Sequence, residues 1–361
     1  MNIRATPARL RTLLIMVLIL VAAGCGTPTS DPSSDTPSSS NDTETTEPVR
    51  IGTSSFSVGD FIFDVRAAGP VDGEGVLLLH GFPQTSIEWE AQLLALGNAG
   101  YRAVAPNQRG YSPLARPSDE ASYALPLLVQ DILDLADALG FETFHVVGHD
   151  WGASVAWALA SNAPERLNSL TAISVPHLDA FALTRNDPES CQYSASSYMD
   201  FFVQPNSQDI LLANDGAQLR AIYNGLPESH IEDYMSVLTQ PGALKAGLDW
   251  YRANLSDDNT ETLGLITPPT LYIWSTGDTA LCEDGAYLTG DYVSGPYRFE
   301  VIEDVDHWVP ENAADRVSEV LLEHLDTYPA QVRPLDSRRT TRNQRNAEML
   351  SGSEDVLRYM E

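Results

Sequence analysis

The sequence is poor in positive charge, in cysteine and in long apolar runs. Its 361 residues contain 21 Lys plus Arg against 50 Asp plus Glu, which gives a formal net charge of −29, and Lys245 is the only lysine. So acidic a chain lacks the clustered cations that bind phosphate backbones, and this argues against nucleic acid as a partner. The length allows one large α/β domain with an insertion or two ordinary domains.

The N-terminus has the three parts of a secretory signal: a basic stretch over 1–11, an apolar run over 13–23, and small residues directly before Cys25. The apolar run is shorter than the roughly 20 residues that a membrane-spanning helix needs. A cysteine in this position resembles the lipobox of bacterial lipoproteins, with Ala22 where Leu is commonest. We predict a signal peptide over 1–25, lipidation of Cys25, and an exported protein that is lipid-anchored to the cell envelope. An ordinary signal peptide with a nearby cysteine is the alternative.

The next segment, 26–48, contains Ser, Thr, Pro, Asp and Glu but no aliphatic or aromatic side chain. Such a segment has nothing to bury that could offset its ordering entropy. We predict a disordered tether that holds the folded part of the chain clear of the membrane. The polar tail over 332–361 is predicted to be disordered for the same reason.

The two cysteines other than Cys25 are Cys191 and Cys282, and no Cys/His spacing typical of a zinc site occurs. In an oxidising compartment these two thiols can pair. We predict a Cys191–Cys282 disulfide, and two buried free thiols are the alternative. A glycine-rich phosphate loop is also absent, so we predict no metal and no organic cofactor.

From residue 49 onward, short β-rich runs alternate with amphipathic helical stretches, a pattern typical of a mostly parallel sheet covered by helices on both faces. The residues 58–65 favour part of an antiparallel edge hairpin. Strands are predicted at 76–80, 102–106, 144–148, 170–174, 270–275 and 298–302, and helices at 87–96, 126–139, 153–160 and 313–325. The alternation stops over 177–265, which favours an inserted helical cap between core segments 49–176 and 266–331.

The sequence GHDWG at 148–152 follows a predicted strand directly and precedes a predicted helix. This context is typical of a nucleophile elbow, in which small flanking residues allow a tight turn that exposes the central side chain. The central residue is Asp150, so the predicted nucleophile is a carboxylate and a serine esterase is excluded.

The sequence HGFP at 80–83 ends an earlier strand, where hydrolases with such an elbow place an oxyanion hole; the predicted donors are the N–H groups of Phe82 and Trp151. Asp278 and His307 each follow a later strand, which gives the order nucleophile, acid, histidine. Asp304 and Asp306 remain alternative partners for His307. The other six histidines, at 80, 145, 149, 177, 230 and 324, are interpreted as structural.

Together, HGFP, QRGYS at 108–112, GHDWG, the late Asp278 and the histidine of DHW resemble the epoxide hydrolase branch of the α/β-hydrolase fold, over about 50–328. The resemblance implies an α/β-hydrolase fold with a helical cap, and it implies two cap tyrosines that hold and protonate the epoxide oxygen. Tyr198 and Tyr251 match these positions, with Tyr193 in reserve for the first. It further implies that a small apolar epoxide is opened to a vicinal diol through a covalent ester on Asp150.

Two other functions remain as alternatives. Haloalkane dehalogenases share the Asp nucleophile and the histidine, and Trp151 fits either enzyme because it can donate to a departing halide. A catalytically silent surface lipoprotein that uses the scaffold for binding is the alternative from a different class.

Overall fold

The computed structural model describes residues 48–255 and 262–330. The predicted signal peptide with Cys25, nearly all of the tether and the tail lie outside the described residues. In the part of the chain that is described, no helix combines the length and the apolar character that a membrane crossing requires.

The described chain is built on one eight-stranded sheet with the strand order β1-β2-β4-β3-β5-β6-β7-β8. The strands are β1 Gly52–Val58, β2 Phe61–Ala68, β3 Gly75–Leu79, β4 Arg102–Pro106, β5 Phe144–His149, β6 Leu167–Ile173, β7 Thr270–Ser275 and β8 Tyr297–Ile302. The β1–β2 hairpin at the edge and the β2–β4 pair are antiparallel, and the remaining pairs are parallel. The predicted mostly parallel α/β sheet is confirmed.

From β3 onward the helices follow the strands in the expected alternation, except that six helices of the described chain lie between β6 and β7. They are α1 Glu90–Asn98, α2 Leu125–Leu139, α3 Trp151–Asn162, α4 Leu178–Arg185, α5 Cys191–Ala195, α6 Tyr198–Phe202, α7 Ser207–Ile222, α8 Glu228–Leu238, α9 Ala243–Asn254, α10 Glu283–Leu288, α11 Val309–Asn312 and α12 Ala314–Thr327. Helix α7 is interrupted by non-helical residues at 213–216.

The apolar residues of the central strands explain why helices cover both faces of the sheet. Successive side chains of a strand point to opposite faces. In β3, Val76 and Leu78 belong to the buried cluster that contains the apolar residues of α1 and α12. Leu77 and Leu79 belong to the cluster that contains those of α2 and α3. A strand that is apolar on both faces is therefore buried on both, as parallel sheets require.

Helices α4 to α9 lie between β6 and β7 in the chain, where the sequence predicts the cap. Prolines at 188, 205, 227 and 241 lie between successive helices of this segment, because proline lacks an N–H and clashes in a helix interior. The segment contacts the core at the loop after β3, where the Tyr223 hydroxyl donates to the Pro83 carbonyl at 2.5 Å. It also contacts the core through Trp250, whose indole N–H donates to the Arg109 carbonyl at 3.1 Å.

A disulfide joins the cap to the segment after β7. Cys191 and Cys282 are bonded, with their Cα atoms 6.1 Å apart, so the predicted pair is confirmed. The neighbouring Gln192 is buried and holds the same segment through its side-chain amide. It donates to the Ala280 carbonyl at 2.8 Å and accepts from the Cys282 N–H at 2.9 Å.

Candidate active site

The nucleophile elbow forms where β5 ends at His149 and α3 begins at Trp151. Asp150 lies between them with φ 50° and ψ −122°, a left-handed conformation that non-glycine residues seldom adopt. A Cβ at Gly148 would lie 2.2 Å from the Gly152 carbonyl oxygen, and a Cβ at Gly152 would lie 1.9 Å from the Leu79 carbonyl oxygen. Glycine is therefore required on both sides of the turn.

The loop after β3 lies directly against the Asp150 carboxylate. The Phe82 N–H donates to Asp150 Oδ1 at 2.8 Å. A Cβ on Gly81 would lie 2.5 Å from the same oxygen, so only glycine permits this approach. Trp151 is the first residue of α3, and its N–H therefore has no intrahelical acceptor. The two predicted oxyanion-hole residues thus flank the nucleophile.

His307 lies between two carboxylates. Its Nε2 is 3.5 Å from Asp150 Oδ2, and its Nδ1 is 2.8 Å from Asp278 Oδ2. The other oxygen of Asp278 accepts from the N–H groups of Ala280 at 2.8 Å and Leu281 at 3.0 Å. Asp278 is therefore fixed on one side by its own loop and orients the imidazole on the other.

Asp304 and Asp306, the alternative partners for His307, make hydrogen bonds with other groups. Asp306 accepts from the Trp308 N–H at 3.1 Å and from the Asn312 side chain at 2.9 Å. Asp304 adopts a positive φ of 58° in the turn after β8, and its N–H donates to Thr276. The structure thus pairs His307 with Asp278.

The protonation states follow from these contacts. Burial by itself lowers the pKa of His307, but the charges of Asp278 and Asp150 and the hydrogen bonds to them outweigh burial and raise that pKa well above 6.5. Burial by itself raises the pKa of Asp150 and of Asp278, but the hydrogen bonds to His307 and its charge hold both pKa values below their ordinary range. The resting site therefore holds two carboxylates and a protonated imidazole.

Two tyrosines of the cap face the same cavity as Asp150. Tyr198 begins α6 and Tyr251 lies in α9. The ring of Phe202 contacts both, with centroid distances of 5.3 Å and 5.1 Å. Burial, and then the negative charge of Asp150, raise the pKa of each phenol well above 10, so both are proton donors at neutral pH. Tyr193, the reserve residue, is 55% exposed.

The cavity has a volume of about 1360 Å³ and is lined by Asp150, Trp151, Tyr198 and Tyr251. Much of the remaining wall is apolar, from Val175, Leu178, Phe181, Met199 and Leu281, and the rest is polar or charged, with Ser154, Asn162, Asp179, Arg185, Asp187 and Asn254 among its residues. Nucleophile and proton donors therefore share one cavity of mixed lining, a concave space of the kind that binds small molecules.

His80 holds the oxyanion loop rather than a substrate. Its Nδ1 is 2.9 Å from the Gly81 carbonyl oxygen, and its Nε2 accepts from the Gln108 N–H at 3.1 Å. The Gln108 side chain donates in return to the His80 carbonyl at 2.6 Å. Burial lowers the pKa of His80 to about 4, which keeps the ring neutral. The HGFP and QRGYS motifs thus hold one another in place.

A glutamate beside the catalytic residues was not assigned a role from the sequence, and the histidine that it contacts was interpreted as structural. Glu88 is buried, and its Oε1 is 2.8 Å from His149 Nδ1. His149 in turn contacts the His307 carbonyl oxygen through Nε2 at 2.9 Å. The only sequence signal was a glutamate just after HGFP, and a glutamate in a predicted amphipathic helix is usually assigned to the solvent-facing side.

Residues with metal-ligand geometry are found at one place among the described residues. Cys191, Cys282 and Asp284 lie close together, but the two sulfurs are bonded to each other. Asp284 accepts from the Ser190 hydroxyl at 2.6 Å and from the Cys191 N–H at 3.0 Å. These residues therefore join the cap to the segment after β7 through the disulfide and the hydrogen bonds of Asp284.

Comparison with known proteins places this site in a family. Residues 75–314 match the family model described as alpha/beta hydrolase fold. The chain is 34% identical over 269 residues to the AB hydrolase superfamily protein YfhM of Bacillus subtilis, covering 72% of this chain and 93% of the relative. It is 30% identical over 302 residues to Epoxide hydrolase A of Mycobacterium tuberculosis, covering 72% and 93%.

A solved epoxide hydrolase from Vigna radiata superimposes with a TM-score of 0.68 at 28% identity, covering 77% of this chain and 99% of that structure. The fold of that structure, over nearly its whole length, is therefore similar to the fold of this chain. The chain belongs to the α/β-hydrolase fold family, in the branch that contains the epoxide hydrolases.

Proposed function

We propose that the protein is a hydrolase that opens epoxides to vicinal diols through a covalent ester on Asp150. One observation carries the proposal: an ionised carboxylate at a nucleophile elbow shares a cavity with two protonated tyrosines. An epoxide carbon is opened by a carboxylate when an acid holds the ring oxygen. The names of the relatives, epoxide hydrolases among them, support this reaction.

In the first step, a carboxylate oxygen of Asp150 attacks one ring carbon and the bond from that carbon to the epoxide oxygen breaks. The departing oxygen takes a proton from Tyr198 or Tyr251, which leaves a tyrosinate and a neutral ester. Because each phenol has a raised pKa, the proton stays on the tyrosine until the ring oxygen becomes basic.

Ester formation then frees the base. The negative charge of Asp150 and its hydrogen bond help to hold the pKa of His307 well above 6.5. The ester is neutral, so this contribution disappears and the pKa of His307 falls. His307 is thus converted from a protonated partner of the nucleophile into a base by the first step itself. The proton it releases can restore the tyrosine.

In the second step, His307 takes a proton from water while the water oxygen attacks the carboxyl carbon of Asp150. The charge on the carboxyl oxygen is held by the N–H groups of Phe82 and Trp151. The Phe82 N–H already donates to this carboxylate at 2.8 Å. The bond from the carboxyl carbon to the alkyl oxygen breaks, and the leaving alkoxide takes the second proton of the attacking water. The diol leaves, the carboxylate is restored, and His307 is protonated again as in the resting site.

The aliphatic and aromatic part of the cavity wall can bury apolar substituents of an epoxide. The volume of about 1360 Å³ exceeds the 300 to 1,000 Å³ typical of small-molecule sites. We therefore infer that the site accepts substituents well beyond the epoxide ring, with apolar groups placed against the aliphatic and aromatic lining.

Product analysis with two probes tests the reaction. Purified protein is incubated with styrene oxide and, separately, with chlorobutane, and diol and chloride are measured, with Asp150→Asn as the control. We expect diol from the parent, no chloride, and no diol from the variant. Chloride without diol would instead identify a dehalogenase, and neither product would identify a silent binding scaffold.

We also propose that the protein is exported and anchored to the cell envelope by a lipid on Cys25. The support is the sequence alone: small residues before the cysteine and a polar segment after it. The test is fractionation of cells that express the parent or Cys25→Ala. The parent is expected in the membrane fraction and the variant is expected to lose this association, with Cys191→Ala as a control that keeps the anchor. Unchanged membrane association of Cys25→Ala would contradict the proposal.

A further inference from the structure

Glu88 and His149 are buried ionisable groups that the two steps above do not use. Glu88 lies in the turn Ser86–Trp89 that follows the oxyanion loop. Its Oε2 accepts from the Gly81 N–H at 3.3 Å, and its Oε1 lies 2.8 Å from His149 Nδ1. Both side chains are inaccessible to solvent. So costly a burial of two titratable groups requires that each be paired.

The contact of His149 on its other side fixes the position of its proton. His149 Nε2 is 2.9 Å from the backbone carbonyl oxygen of His307, and the two imidazole rings are 4.8 Å apart. A carbonyl can only accept, so Nε2 carries the hydrogen and donates. His149 therefore holds the backbone of the catalytic base.

The remaining proton of the pair belongs on Glu88. Burial, and then the charge of His307, lower the pKa of His149 to about 4. Burial, and then the charge of Glu311, raise the pKa of Glu88 well above 4.5. His149 Nδ1 and Glu88 Oε1 lie 2.8 Å apart, and because the imidazole hydrogen is on Nε2, the hydrogen between these two atoms has to come from a protonated Glu88 carboxyl.

We propose that Glu88, as an uncharged carboxylic acid, is a positioning residue for ester hydrolysis: it donates to His149, which donates to the His307 carbonyl, and it accepts from Gly81. This inference rests on the proposed function. Through these contacts one buried side chain connects the oxyanion loop, the elbow and the loop of the base. The chain of donors ends at a carbonyl, so it transmits position and carries no proton to His307.

The second step is the one that needs this arrangement. It requires His307 to hold a water against the carboxyl carbon and requires the oxyanion loop to hold the developing charge. Misplacement of a catalytic group by 1 Å costs about 10²-fold in rate. The first step uses Asp150 and the tyrosines, so loss of Glu88 should affect ester hydrolysis far more than ester formation.

Two substitutions at Glu88 separate its hydrogen bonds from its shape and charge. Glu88→Gln keeps a donor toward His149 and an acceptor toward Gly81, so ester hydrolysis should slow by no more than about 3-fold, and formation likewise. Glu88→Met has a similar length but neither group. It should slow ester hydrolysis by about 30- to 100-fold and ester formation by less than about 3-fold.

A matched pair at His149 repeats the test from the other side. The amide of His149→Gln reaches the position of Nε2 and can donate to the His307 carbonyl, whereas the shorter His149→Asn cannot. We expect the Asn variant to lose about ten times more of the hydrolysis rate than the Gln variant.

The control is the second buried histidine of β5, which contacts a partly exposed glutamate. His145 Nε2 lies 2.8 Å from Glu74 Oε1 at the opposite end of β5. Glu74→Gln and Glu74→Met lose contacts of the same kind but far from the loops of the base and the oxyanion. The ratio of ester hydrolysis to ester formation should stay at the parental value in both.

The measurement is a single turnover of styrene oxide by enzyme in excess, quenched at intervals, with ester followed as added mass on the intact protein. A parent that makes diol without ester would overturn the proposed mechanism itself, and this inference with it. With ester seen in the parent, a Glu88→Met variant that clears it at the parental rate would overturn the role of Glu88. Equal slowing of Glu88→Gln and Glu88→Met would overturn the assignment of Glu88 as an uncharged acid. A negative charge on Glu88 would be lost in both variants, whereas the hydrogen bonds are lost only in Glu88→Met. Slow clearance in Glu88→Met, with rescue in Glu88→Gln, supports the proposal.

Discussion

Strand β5 carries a buried histidine near each end, and each histidine contacts a glutamate. At the amino end, His145 Nδ1 is 2.7 Å from the Ser169 hydroxyl oxygen, and His145 Nε2 is 2.8 Å from Glu74 Oε1. Glu74 also accepts from the Asn168 side chain at 3.0 Å. At this end every partner is supplied by the fold, and none of these four residues lines the cavity that contains Asp150.

At the carboxyl end the same residue types lie next to residues of the active-site cavity. His149 and Glu88 support a base whose carboxylate neighbour, Asp150, lines the cavity. The difference shows that a buried histidine in contact with a glutamate does not by itself indicate chemistry. Function follows from the end of the parallel sheet at which they lie, because loops after parallel strands meet there and a strained turn exposes a nucleophile.

The largest expected effect comes from removing the base at the carboxyl end. His307→Gln should slow ester hydrolysis by about 10³- to 10⁴-fold, because general-base catalysis is lost while Asp150 remains as nucleophile. The ester should therefore accumulate and be detected as added mass on the peptide that contains Asp150. Rapid clearance of the ester in this variant would assign the base to another residue.

A smaller effect is expected from the proton donors. Tyr198→Phe and Tyr251→Phe should each slow ester formation by about 10²-fold, since one phenolic proton is lost while the ring still packs. The rate of mass gain in a single turnover measures this step. Parental rates in both variants would remove the tyrosines from the mechanism. Tyr193→Phe, on the exposed surface, is the matched control and should be silent.

The pH dependence of ester hydrolysis tests the proposed fall in the pKa of His307 when the ester forms. Hydrolysis needs neutral His307, so its rate should be constant at high pH and fall about tenfold per pH unit below the pKa of His307 in the ester. In the resting enzyme Asp150 helps to raise this pKa, and the ester removes that charge. The acid limb of ester decay should therefore lie at lower pH than the titration of His307 in the resting enzyme, followed by NMR. An acid limb at or above the resting titration would contradict this account.

The smallest effect on activity is expected at the amino end of β5. Glu74→Met leaves Nε2 of the buried His145 without a partner, while Nδ1 keeps its contact with Ser169, and should lower the free energy of unfolding by about 1 to 3 kcal/mol. Thermal and denaturant unfolding measure this change, and the turnover rate at 25 °C should be unaffected. A loss of turnover without a loss of stability would show that the two ends of the strand are coupled.

Much of the sheet could be predicted because its strands are apolar on both faces. The runs that became β3 and β5 are short, uninterrupted and bounded by glycine or a turn, which only a doubly covered strand explains. Helix boundaries were less accurate. The helix predicted over 87–96 begins at Glu90, because Thr85 caps a separate tight turn at Ser86–Trp89. Local pattern does not reveal such a turn.

The residues of the site also differ in how far the sequence could predict them. Asp150, Asp278 and His307 could be predicted from their places after strands, and the fold brings them within contact distance. Tyr198 and Tyr251 depended on resemblance, since an aromatic residue in a cap helix otherwise indicates packing. Glu88 could not be predicted at all. Its partner His149 lies at the end of β5, far from Glu88 in sequence. Only the folded sheet brings the side chain of Glu88, from the turn after β3, against this histidine.

A single turnover in oxygen-18 water tests the covalent mechanism most directly. Enzyme in excess over styrene oxide is allowed one turnover, and the isotope content of the diol and of the peptide that contains Asp150 is measured. Because Asp150 supplies the new hydroxyl oxygen and water attacks its carboxyl carbon, the first diol should be unlabelled and the peptide should gain one heavy oxygen. A fully labelled first diol with an unlabelled peptide would show that water attacks the epoxide directly and would contradict the ester.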